Sequence, residues 1–113
     1  MTMDNAALYR ALADDTRRNI ILLLLRHDLC VSALAHRLNI SESAVSQHLR
    51  VLKEAGLLSG ERRGYHMHYS IERERLRALA RELEAMADTI RSGEDAAAGL
   101  VLLPMAPQPR RGN

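Results

Sequence analysis

Ser43, Ser46, Gln47 and Arg50 carry the hydroxyls, amide and guanidinium with which base edges are read, and they stand at relative positions 0, 3, 4 and 7. That spacing gathers them on one face if the segment is helical. Gln and Arg can each make paired hydrogen bonds to a base edge in the major groove, and the short serines let a helix approach closely. Val45, Leu49 and Leu52 hold the opposite face, so by itself the pattern also fits an ordinary amphipathic helix with a solvated polar side. The residues that follow tip the balance. Arg62 and Arg63 precede Gly64, and arginines at the tip of a hairpin directly after such a helix reach phosphates or the neighbouring minor groove. Lys53, near the helix end, is placed for a backbone contact. His48 sits at the edge of the polar face, where packing with one ring nitrogen hydrogen-bonded is its expected role.

Thiol and imidazole chemistry is sparser. Cys30 is the only cysteine in the chain, which rules out an intrachain disulfide framework and suits a reducing compartment. Cys30 with His27, and His36 nearby, forms one candidate group for a soft metal or metalloid ion; His66 and His68, alternate residues of a strand, form the other. A lone cysteine is more often a small core residue than a sensor thiol, and core is the expectation for Cys30. His66 and His68 are expected as solvated strand residues or groups near DNA. No histidine stands with a nucleophile and an orienting third group, so catalysis is not indicated.

The elements that must hold these residues follow from periodicity. Leu8, Ala11 and Leu12 give a short first helix from Asn5 to Leu12, and Asp14-Asp15-Thr16 stop it and cap a second, from Thr16 to Arg26, whose six aliphatic residues predict burial on most sides. Val31, Leu34, Ala35 and Leu38 predict a third helix, which Asn39-Ile40 breaks. Ser41 caps a fourth, running to Ala55, and Gly56 is available for a left-handed cap. Two helices joined by a tight turn make a helix-turn-helix. Alternation then replaces helical spacing: Tyr65, Met67, Tyr69 and Ile71 face one way and His66, His68 and Ser70 the other. With Leu57 to Arg62 as partner and a turn at Arg63-Gly64, this is a β-hairpin, the wing. Glu72 to Ile90 returns to a helix with a coiled-coil-like seam of Leu76, Leu79, Leu83, Met86 and Ile90.

The resulting fold class is mainly α with a β-hairpin: a winged helix-turn-helix of five helices. Residues 1–92 form the DNA-binding and dimerisation domain, and 93–113, with its prolines and basic end, is expected to be a disordered tail in which Leu100 to Leu103 can dock only weakly. The chain has 113 residues, 47% of them hydrophobic and none of them Phe or Trp, which suits packed helices and leaves little room for a second domain. A domain this small cannot cover both the last-helix seam and Leu8 and Leu12 on the first helix, so a homodimer joined through those two helices is expected. The net charge of +2 is compatible with a polyanionic partner. The longest aliphatic run, Ile20 to Leu25, is too short to span a bilayer, and a cytoplasmic protein with no membrane partner is expected.

The segments LADDTRRNIILLLL, LCVSALAHRLNISESAVSQHLRVLKEAGLL and ERRGYHMHYSI together resemble the ArsR/SmtB family of bacterial metal-sensing repressors, over roughly residues 5 to 90. The resemblance implies that Ser43, Ser46, Gln47, His48 and Arg50 face double-stranded operator DNA. It also implies a homodimer built from the first and last helices, which represses without its signal and is released by an inducer. Arsenic sensors of the family carry Cys-Val-Cys in the third helix, where this chain has Cys30-Val31-Ser32, and a serine hydroxyl is a poor ligand for a soft ion. Zinc sensors of the family place Asp and His ligands on the last helix, and Glu72 to Ile90 contains no histidine. The usual metal sites are thus incomplete, and a dimeric interaction module of the same fold without useful DNA affinity is the alternative expectation.

Overall fold

The computed structural model describes residues 5–91; the tail expected at 93–113 lies outside the described residues. The order is α1 (Asn5–Leu12), α2 (Asp15–Arg26), α3 (Val31–Leu38), α4 (Glu42–Glu54), β1 (Leu58–Arg63), β2 (His66–Ile71) and α5 (Arg73–Ala87). This is the expected winged helix-turn-helix, with α3 and α4 as the helix pair and the antiparallel hairpin β1-β2 as the wing.

Local chemistry sets each boundary. The Asp14 carboxylate accepts the Arg17 amide at 2.9 Å and so caps α2. That backbone bond, with the Arg17 guanidinium behind it, holds the Asp14 carboxyl below its ordinary pKa. At the turn between α3 and α4, Asn39 adopts the left-handed conformation (φ 56°), which its short polar side chain tolerates, and the Ile40 amide reaches back to the Ala35 carbonyl at 3.1 Å. Ser41 then caps α4 by accepting the Ala44 amide at 3.1 Å. The helix ends in a Schellman motif: Gly56 at φ 82° donates to Lys53, and Leu57 donates to Leu52 at 2.9 Å. Leu52 and Leu57 are both fully buried, which supplies the apolar contact that accompanies this cap.

The core joins every helix. Leu8, Ile20, Leu34, Val45, Leu52 and Leu57 are at most 1% exposed, so the buried stripe of α4 is locked against α2, α3 and the root of the wing. Leu8 and Leu79, both expected at a dimer interface, are core residues of the single chain at 1% and 3% exposed. The reason is that α5 folds back on α1: the Tyr9 hydroxyl donates to Glu82 at 2.9 Å, and the Asn5 amide donates to the same carboxylate. Leu12 and Leu76 are partly buried against that core, and the large apolar residues left exposed on α5 are Leu83 and Met86. Ile90 lies beyond α5, which ends at Ala87 rather than at Ile90, and is 80% exposed in the single chain. Asp88 caps the end, and Thr89 spends its hydroxyl on the Ala85 carbonyl at 3.0 Å instead of continuing the helix.

The wing is one residue out of step with expectation. Arg63 pairs with His66 as the last rung, so the turn is Gly64-Tyr65 and the arginines stand on β1 below the tip. Gly64, with φ 63°, fills the first turn position that a two-residue hairpin of this kind reserves for glycine. Tyr65 therefore leaves the strand face shared by Met67, Tyr69 and Ile71 and is 97% exposed.

Candidate nucleic-acid interface

The cap at Ser41 and the buried side of α4 dictate which side chains point outward. Ser43, Ser46, Gln47, Arg50 and Lys53 are all exposed, and none of them except Ser43 has a hydrogen-bond or ion-pair partner among the described residues; Ser43 lies 3.3 Å from the Ser41 hydroxyl. A helix held rigidly by Val45, Leu49 and Leu52 thus presents donors and acceptors not committed to the protein itself. Arg62 on β1 is likewise exposed and unpaired among the described residues. Arg63 is engaged with Glu61 at 2.8 Å, and the Arg63 guanidinium holds the Glu61 carboxyl below its ordinary pKa. Both side chains are largely exposed, so the pair is screened and a phosphate can compete for the arginine.

His48 occupies a different place from its neighbours. It is half-buried on the flank of α4 that faces α2, with Nδ1 3.4 Å from an Arg17 guanidinium nitrogen. Arg17 was not singled out by sequence reasoning, yet it is a structural hub. Its Nε donates to the Ala11 carbonyl at 2.7 Å and its Nη2 to the Arg10 carbonyl at 3.2 Å. Both carbonyls belong to the last turn of α1, where that of Arg10 also accepts the Ala13 amide at 3.2 Å, so one guanidinium ties the end of α1 to the flank of the recognition helix. The Arg17-Arg18 pair was a visible signal, since Arg18 donates to the Leu12 carbonyl in the same way.

The thiol and histidines assemble differently from expectation. Cys30 is exposed rather than core, because it is the N-terminal boundary residue of α3 and its side chain makes no capping bond. His27 is the exposed boundary residue at the end of α2. Cys30 shares a cleft of about 330 Å³ with Asp28, Arg63, His66 and His68, whereas His27 lines a separate one. Within the first cleft His68 Nδ1 lies 2.8 Å from Asp28. Among the described residues no three His, Cys, Asp or Glu side chains converge in a manner that could hold a metal ion. With one thiol and Ser32 as its neighbour, the donor set does not fit a soft-metal chelate within a single chain.

The comparisons agree with this geometry. Residues 14–59 match the model of the family described as bacterial regulatory protein, arsR family. An arsenic resistance transcriptional regulator of Pseudomonas putida is 42% identical over 67 residues, which cover 58% of this chain and 52% of that protein. The chain thus spans about half the length of that relative. The transcriptional repressor SdpR of Bacillus subtilis is 38% identical over 63 residues, covering 56% of this chain and 70% of the repressor. Among solved structures, an ArsR-like transcriptional regulator from a Rhodococcus species superimposes with a TM-score of 0.69 at 35% identity, over 73% of this chain and 75% of that one. A homodimeric winged helix-turn-helix DNA-binding domain from Mycobacterium bovis superimposes with a TM-score of 0.59 at 30% identity, over 74% and 77% of the two chains.

Proposed function

The chain belongs to the arsR family of bacterial regulatory proteins, and from that premise we propose that it is a dimeric, sequence-specific DNA-binding transcriptional repressor. The observation that carries the reading is the exposed face of Ser43, Ser46, Gln47 and Arg50 on a helix whose other side is locked in the core. A donor and acceptor array that is rigid before binding loses little freedom on docking, which favours discrimination between base sequences. The wing extends the contact: Arg62, and Arg63 once released from Glu61, meet the backbone or minor groove beside it.

Leu83 and Met86, 52% and 58% exposed on α5, support a second copy as the partner that covers them. The Mycobacterium bovis relative, itself described as homodimeric, is consistent with that arrangement. No helix among the described residues is long and apolar enough to cross a membrane. The DNA-binding reading itself places the chain with its operator, in the cytoplasm. Release by a soft metal, a metalloid or a thiol-reactive compound would act on Cys30, the exposed thiol at the start of α3.

Titration of the full chain with duplexes from its own upstream region tests the assignment. Gln47→Ala and Arg50→Ala are each expected to cost about 1–3 kcal/mol at particular base positions. Arg62→Ala is expected to weaken binding to all sequences alike and to flatten the dependence on salt. Unchanged affinity in all three variants would overturn it.

A further inference from the structure

The recognition helix and the wing meet in a crease of about 360 Å³ walled by Ser46, Leu49, Arg50, Lys53, Glu54 and Tyr69. Ser46, Arg50 and Lys53 follow at helical spacings of four and three and bring a hydroxyl and two cations to one wall. Tyr69 supplies the other from β2. Its ring is half-buried and packs on the core, opposite Gly60 in the strand register. A Cβ at Gly60 would stand 3.5 Å from that ring and 3.0 Å from the Met67 methyl, so glycine keeps the seat of both side chains open. The Tyr69 hydroxyl has no partner among the described residues, and none of their buried polar side-chain atoms lacks one, so the hydroxyl reaches solvent.

We propose that this crease seats one DNA backbone phosphate, with Lys53 as its cation and the Tyr69 hydroxyl as a hydrogen-bond donor that positions it, while Arg50 beside them stays with the base edges. The inference rests on the DNA-binding reading and adds a site and a residue to it. The geometry that points there is simple. With α4 in the major groove and the wing in the adjacent minor groove, one sugar-phosphate strand must run between them, over the crease that separates helix from hairpin. Phosphates lie outermost on the duplex, and a pocket that offers a lysine cation and a tyrosine hydroxyl matches their unshared oxygens. Glu54 on the same wall opposes the anion and tempers the site's affinity.

A phosphate contact is independent of sequence, so a mixed-sequence duplex of about 30 base pairs serves as the probe, followed by fluorescence anisotropy between about 50 and 200 mM salt. Tyr69→Phe keeps the ring and removes the donor. It is expected to weaken binding roughly five- to tenfold with the salt slope unchanged, since no cation is lost. Lys53→Gln is expected to weaken binding and to reduce the slope by about one, and Glu54→Gln to tighten it. Wild-type affinity in Tyr69→Phe, or no tightening in Glu54→Gln, overturns the crease and leaves the DNA-binding reading standing. Absence of any salt-dependent binding by the wild-type chain overturns both.

Discussion

Replacing Arg17 with methionine keeps the aliphatic stem and removes the guanidinium that joins α1, α2 and α4. The donations to the Ala11 and Arg10 carbonyls, at 2.7 and 3.2 Å, are charge-assisted bonds to the end of α1, where the Arg10 carbonyl also accepts the Ala13 amide. Each is worth about 1 kcal/mol in this partly exposed setting. The contact with His48, at 3.4 Å, is long and adds little. The expected loss is therefore about 2 kcal/mol, read as a shift of the urea midpoint by roughly 1–2 M at fixed protein concentration. Adding His48→Phe to Arg17→Met should change stability by nearly the same amount as His48→Phe alone, with a coupling of about 0.5 kcal/mol or less. Because Arg17 holds the flank of α4 without itself facing DNA, operator affinity should fall while the salt slope stays as in wild type. A stability cost under about 0.5 kcal/mol, or a flattened salt slope, would refute the reasoning.

Gly56→Ala forces a Cβ into the left-handed conformation at φ 82°, and equilibrium unfolding is expected to register a loss of about 1–2 kcal/mol. Asp14→Ala removes the α2 cap at a cost of about 1 kcal/mol near neutral pH. Since the folded Asp14 carboxyl lies below its ordinary value of 3.8, the stability it supplies is present above that value and is lost as pH falls through the lower folded one; wild type and variant should therefore converge in acid. Leu79→Ala empties a core position and is expected to cost about 2–5 kcal/mol. Paired Leu83→Glu and Met86→Glu changes should leave the fold intact and yield monomers in sedimentation, because those side chains are exposed in the single chain. Cys30→Ser is expected to abolish release from DNA by thiol-reactive compounds in a band-shift assay; release that persists would remove Cys30 from any sensing role.

What the sequence disclosed was whatever depends on near neighbours. Asp14, Ser41 and Gly56 mark helix ends because capping is satisfied within a few residues, and the face of Ser43, Ser46, Gln47 and Arg50 follows from helical spacing alone. Position within a stripe was not legible in the same way. Leu79 and Leu83 obey one periodicity, yet the first is buried and the second half-exposed, since α5 leans on α1 through Tyr9 and Glu82, which are 73 positions apart. Arg17 and Tyr69 escaped attention for the same reason: their partners or surroundings come from other elements. The wing slipped by one residue because Gly64 can take the first or second place in a two-residue turn, and only the strand pairing decides which. Cys30 looked like core by residue type, while its position as a helix boundary put the thiol outside.

The most direct test of the central claim is selection of binding sites from a random duplex pool by the full chain, followed by sedimentation of the complex on the selected site. The expected result is a near-palindromic site whose half-sites lie about one helical turn, roughly 34 Å, apart, occupied by two copies of the chain. A site without two-fold symmetry occupied by one copy, or a pool that gains no sequence preference through successive rounds, would contradict the account.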